Sequence, residues 1–246
     1  MKRVLFAVVA AATVAGLATP AAAQDANRGG WSCFAELNFA EQYANYKFTR
    51  VGKVNVSGGG AGAIGNFISS SAPAAFGSQS PDGPGGGVGL GCDWHRGNWV
   101  LGAQLQHTSG TVGGTNVITA LPTWTMSAKL LSLENITARV GYMVAPDFMA
   151  YVRTGFGVAF NSYSAYITNG SAQQEYGSTR NIGLVLGGGL EYNINNDWSV
   201  YGEYTYNGFG TYPLAFVQTA GVTGVADYVR IRQDVNQLQI GVHYHF

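Results

Sequence analysis

Five charged residues and two histidines fall where side chains rarely carry charge without a task. Glu36, Arg139, Arg153, Glu191 and Glu203 each lie in a stretch that alternates apolar and polar residues with a period of two. They belong to the polar phase, among Asn, Gln, Thr and Gly. On a strand, one phase is one face. If that face is enclosed, its charges must be paired, because an isolated buried charge is costly. The chemistry expected is an interior network of ion pairs and hydrogen bonds, with a selective or gated pore as the alternative use of the same groups. His243 and His245 share that phase, two residues apart. Metal ligation would need further ligands, for which Asp93 is the one candidate, so satisfied interior histidines and no metal site are expected. His107-Thr108-Ser109, with Glu134 on the following stretch, offers a nucleophile, a base and a carboxylate to orient it. Gly183, Gly187, Gly188 and Gly189 invite a phosphate-loop reading, but no helix follows them. They read instead as strand that approaches its neighbours closely.

Eight period-two segments must position these groups. They run at about 31–43, 85–94, 99–106, 129–144, 149–160, 179–192, 198–209 and from about 230 to the end. The last is the clearest. Leu238, Ile240, Val242, Tyr244 and Phe246 alternate with Gln239, Gly241, His243 and His245. Three connections are short, at about 95–98, 145–148 and 193–196. Four are long, at about 46–84, 108–128, 161–178 and 210–229, and rich in Gly, Ser, Thr, Asn and Pro.

Composition narrows the class. Charged residues make up 11% of the chain, against about 25% in a typical soluble one. There are 36 Gly, 14 Tyr and 12 Phe, and no apolar run long enough for a spanning helix beyond the N-terminal segment. The formal net charge of +0 gives no reason to expect a nucleic-acid partner. Met1-Lys2-Arg3, the apolar run Val4 to Leu17 and Ala21-Ala22-Ala23 read as a secretory signal peptide, residues 1–23, cleaved before Gln24. Residues 24–246 are then one domain, exported through the periplasm.

Strands that meet lipid must close on themselves, since an open edge leaves backbone groups unpaired where there is no water. Alternating short turns and long loops between antiparallel strands is the layout of a transmembrane barrel, with short turns in the periplasm and long loops outside. The fold class expected is all-β: an eight-stranded antiparallel transmembrane β-barrel in the Gram-negative outer membrane, carrying four mobile surface loops. A soluble β-sandwich is the competing fold, but it would need a more charged outer phase. Trp31, Trp94, Trp99, Tyr142, Tyr192 and Trp198 cluster at strand ends, as interfacial girdles do. Closure pairs the last strand with the first, and Tyr244 and Phe246 end it on the lipid side. Cys33 and Cys92 fall near the periplasmic ends of the first two strands on the lipid-facing phase. A disulfide, or two small apolar residues in a different register, would each fit there.

From residue 129 onwards the chain resembles a known family. "GLVLGGGLEYNINNDWSVYGEYTY" at 183–206 and "ARVGYMVAPDFMAYVRTGFGVAF" at 138–160 resemble the hairpins of small OmpA-like, porin-like surface antigens of the alphaproteobacterial outer membrane. The resemblance implies an eight-stranded barrel without enzyme activity or a cofactor. It implies that Tyr244 and Phe246 form a signal read by the barrel-assembly machinery. Some family members bind haemin, which attaches to no residue here. Outer-membrane lipids and lipopolysaccharide are the expected surroundings, with a loop-bound ligand such as haemin or a host protein. The His107, Ser109 and Glu134 arrangement resembles the lipid-A deacylase barrels, and a lipid-A-modifying hydrolase is one alternative function. A small-solute porin is the other.

Overall fold

A computed structural model describes residues 30–55, 74–167, 173–218 and 225–246. The expected signal peptide lies outside them. Eight long strands form the ring: β1 (Trp31–Asn55), β3 (Asp82–Arg96), β4 (Trp99–Ile118), β5 (Leu121–Ala145), β6 (Phe148–Ile167), β7 (Gln173–Asn193), β8 (Trp198–Ala215) and β10 (Val225–His245). Two short pieces, β2 (Ala74–Gln79) and β9 (Val217–Gln218), pair with β1 and β7. Every pairing is antiparallel. β10 lies against β1 from Asn55↔Val225 to Phe34↔His245, which closes the barrel.

The strands follow from local chemistry. Alternating β-branched and aromatic residues suit a pleated surface with two different faces. The short turns are built as expected. Gly97 takes φ 58° between β3 and β4, and Asn195 Oδ1 accepts the Asp197 and Trp198 amides between β7 and β8. Above these turns, large apolar side chains point outwards: Leu90, Leu105, Ile136, Val152, Phe156, Ile182, Leu186 and Ile240 are all exposed. This is the lipid-facing band. Its periplasmic edge is aromatic, with Trp31 opposite Trp94, and Trp99 and Tyr142 edge-to-face at 5.1 Å.

The expected bounds of the long loops are corrected where the structure describes them, while 56–73, 168–172 and 219–224, which fall in those loops, lie outside the described residues. β1 runs to Asn55, well past the predicted end at 43, and β4 and β5 form one tall hairpin whose last pair is Ile118↔Leu121. β6 and β7 stay paired up to Tyr166↔Gln173. At 25 residues, β1 and β5 are more than twice the roughly 9–11 residues a tilted strand needs to cross a bilayer. The barrel wall therefore continues beyond the membrane, and there the faces exchange chemistry. Thr111, Thr115, Lys129, Arg230 and Arg232 point out. Phe48, Phe76, Ile118, Met126, Leu130, Tyr163, Phe216 and Ile231 pack inside. Outside that section is water, so the apolar phase turns inwards. Two bulges help it: register shifts at Leu131 of β5 and at Phe209 of β8, the latter followed by Gly210 at φ 71°, re-phase those strands.

Candidate functional site in the barrel interior

The predicted charges meet inside the lower, membrane-level half of the barrel. Arg139 on β5 bridges two carboxylates, Asp93 on β3 and Glu191 on β7, the latter at 3.0 Å. Its guanidinium also lies over the Phe34 ring, 4.6 Å from the centroid. Arg153 on β6 pairs with Glu203 on β8 at 2.7 Å and donates to Gln106 and Thr205. Among the described residues Glu36 has no arginine partner. It is held by Tyr201, Gln104, Gln106 and Asn38. Tyr151, Thr205 and Gln239 complete the set on Glu203. All of these groups are buried except Asn38.

Sequence reading missed three things here. Asp93, expected from the sequence only as a companion for a metal, lies on the inward phase and is the partner of Arg139. Tyr151 and Tyr201 were not singled out, though both lie on that phase and bring hydroxyls into the bore. The glycines make room for their rings: a side chain at Gly189 would meet the Tyr151 hydroxyl, and one at Gly241 would meet the Tyr201 ring. The close approach expected of Gly183, Gly187 and Gly189 is therefore to side chains as well as to neighbouring strands.

At the periplasmic mouth His243 Nδ1 lies 3.0 Å from Glu191 Oε1, and His245 Nε2 lies 3.6 Å from the same oxygen. Ser199 Oγ sits between them, 2.6 Å from Glu191 Oε1 and 3.0 Å from His245 Nε2. His243 is stacked on Tyr201 at 4.5 Å, and its Nε2 is buried without a hydrogen-bond partner.

His107 and Glu134 are cross-strand partners on the outer face, with Nδ1 and Oε1 2.6 Å apart. Ser109 lies opposite Ser132, and Ser132 donates to Glu134. Among the described residues no hydrogen bond joins Ser109 to His107. Beside the pair is a hollow of about 450 Å³ in the barrel wall, lined by Leu37, Val88, Leu90, Leu105, Trp198 and Val242 among others.

Cys33 and Cys92 are direct register partners, 3.9 Å apart at Cα, and are joined as a disulfide. The seam reaches the same level: Phe246 N donates to Cys33 O at 2.8 Å, and Cys33 N to Phe246 O at 3.3 Å. Tyr244 packs on Trp198 at 5.0 Å, and Phe246 is exposed.

Comparison with known proteins gives a model of the outer membrane protein β-barrel domain, which matches residues 9–246. The 31 kDa outer-membrane immunogenic proteins of Brucella melitensis biotype 1 and Brucella suis biovar 1 are 27% identical over 176 residues, 65% of this chain. The match spans 65% of the length of those curated relatives. Among solved structures, Ail of Yersinia pestis aligns over 86% of this chain and 98% of its own, at 13% identity and TM-score 0.39. OprG from Pseudomonas aeruginosa aligns over 91% and 99%, at 12% identity and TM-score 0.47.

Proposed function

The chain belongs to the outer membrane protein β-barrel domain family, and from that premise we propose that it is a non-catalytic surface-interaction protein of the Gram-negative outer membrane. The barrel is an anchor and a pedestal. The observation that carries this reading is the apolar core above the lipid band. Phe48, Phe76, Ile118, Met126, Leu130 and Ile231 fill the section beyond the membrane, and the ion-pair network fills the section within it. A wall packed this way raises the outer strand ends above the membrane instead of conducting solutes. Lipopolysaccharide surrounds the outer wall, and the ligand of the connections is a small apolar cofactor such as haemin, or a host protein. The C-terminal strand, ending in Tyr244 and Phe246, is what the barrel-assembly machinery engages. The test is a binding screen of the full-length barrel in detergent against haemin, host proteins and lipopolysaccharide, run beside planar-bilayer conductance. Saturable binding without conductance is expected. Steady single-channel currents would replace this reading with the small-solute porin.

A second reading has its own observation: the His107–Glu134 pair at 2.6 Å beside an apolar hollow on the lipid side. With Ser109 turned to His107, this would be a hydrolase for ester-linked acyl chains of outer-leaflet lipid, such as lipid A. Ser109 would attack, His107 would take its proton and Glu134 would hold the ring. Lipid-A acylation patterns in cells with and without Ser109→Ala decide it. Identical patterns remove the hydrolase.

A further inference from the structure

The bore holds more acid than base at the level of the membrane. Asp93, Glu36, Glu191 and Glu203 face only two guanidinium groups, those of Arg139 and Arg153. The excess lies close to two imidazoles. Glu191, His243 and His245 each present one donor atom, and these atoms all lie within 4.8 Å of one another. The two carboxylate-to-imidazole separations are 3.0 and 3.6 Å. Donors bound at about 2.0–2.2 Å to a tetrahedral zinc ion stand roughly 3.4 Å apart, so these two separations already bracket that spacing. The set is two neutral-capable nitrogens and one carboxylate oxygen, which suits zinc-class ions better than magnesium or calcium.

We propose that Glu191, His243 and His245 form a binding site for one divalent first-row transition ion, of the zinc class, at the periplasmic mouth of the barrel. Three protein ligands leave a fourth position, which Ser199 Oγ or a water fills, since Ser199 already contacts Glu191 and His245. Arg139 holds the other oxygen of Glu191, Oε2, at 3.0 Å and is itself tied to Asp93, which fixes the carboxylate with Oε1 turned to the imidazoles. Tyr201 stacks on the His243 ring and fixes its plane. Entry is from the periplasm, where the His245 side chain keeps 16% of its surface exposed while His243 and Glu191 are buried. The binding step releases no group but the protons the imidazoles carry, and the bound charge offsets the carboxylate excess. Glu191 stands on β7 and both histidines on β10, with β8 between them. A bound ion therefore ties β7 to β10 across β8 beside the closing seam, whatever the surface connections bind.

The test uses zinc alone on the full-length, chelator-stripped barrel purified in detergent. Competition against a fluorescent zinc chelator should give one ion per barrel. His245→Ala should weaken that binding by at least about tenfold, the lower end of the typical cost of losing even a group that only supports a ligand. Heat-shifted mobility on gels confirms that the variant is folded. Cobalt(II) reads the wild-type site without any substitution. A visible ligand-field band of tetrahedral intensity, saturating at one ion per barrel and bleached by zinc, is the supporting result. Three results overturn the proposal: no saturable zinc binding, binding unchanged in folded His245→Ala but lost in His107→Ala, or a cobalt spectrum no stronger than that of the hydrated ion.

Discussion

At the scale of single residues, the interior is governed by the cost of leaving a charge alone in a place with little water. Among the described residues Arg153 is the sole cation paired with Glu203, which it meets at 2.7 Å. Arg153→Ala should therefore strand that carboxylate and cost about 3–5 kcal/mol, read as a lower urea midpoint for unfolding of the lipid-embedded barrel. Arg139→Ala should be at least as damaging, because Asp93 and Glu191 both lose the guanidinium that pairs with them. Arg139→Ala together with Asp93→Asn should recover part of that loss, which a double-mutant cycle measures. A purely additive cycle would show that the two groups do not act on each other. Much of this network could be read from the phase of the alternation, since Glu36, Arg139, Arg153, Glu191 and Glu203 all share the polar phase. Phase alone says that a residue points inwards. It does not say which residue lies across the bore. Depth is set by strand stagger, so the choice of Asp93 for Arg139, and of Tyr201 for Glu36, was not legible. Neither was the meeting of Glu191 with two histidines more than fifty residues further on.

At the scale of strands, one rule explains both what the sequence disclosed and what it hid. Within the lipid band the apolar phase faces out, and segments such as 238–246 announce themselves. Above the band the apolar phase faces in, and "TVGGTNVITALPTWTM" at 111–126 reads as loop, because its polar residues are the small ones typical of turns. The bulges at Leu131 and Phe209 shift the phase as well, which breaks the count across β5 and β8. The exchange of faces makes a three-way prediction from outward or inward position alone. Leu105→Arg, on the lipid face, should destabilise by about 2–4 kcal/mol if it lies near mid-bilayer, and less nearer the interface. Thr115→Arg, outward on the same strand but above the lipid, should change stability by less than about 0.5 kcal/mol. Met126→Ala, inward and fully buried at that upper level, should cost about 2–5 kcal/mol through the cavity it leaves. Unfolding midpoints of the three variants in one vesicle preparation check the order. A tolerated Met126→Ala would mean that the upper section is not a packed core.

For the whole molecule the difficulty is closure, since β10 must find β1 across nearly the full chain, and contacts so distant in sequence form slowly. Two features sit at that seam. Phe246 pairs with Cys33 through both backbone groups, so deleting Phe246 should remove the last rung as well as the proposed assembly signal. Slower insertion and more periplasmic degradation are expected in pulse-chase labelling, and unchanged yield at high expression would remove the signal from the account. The Cys33–Cys92 bridge acts one step earlier. It joins β1 to β3 across a sequence separation of 59, the longest connection between neighbouring wall strands apart from the seam itself. Closing a loop of that length is worth about 4 kcal/mol in the chain-entropy model. The gain falls on the hairpin that gives β10 its docking edge. The two cysteines reach the periplasm before the barrel enters the membrane, and oxidation there fixes β1 against β3 in the register that places Cys33 opposite Cys92. Replacing both with serine should therefore slow closure and lower the unfolding midpoint, while leaving the final strand order unchanged. Intact mass after alkylation, with and without reductant, reads the bridge directly. A protein that takes up two alkyl groups without reductant would show that the strands find their register without it.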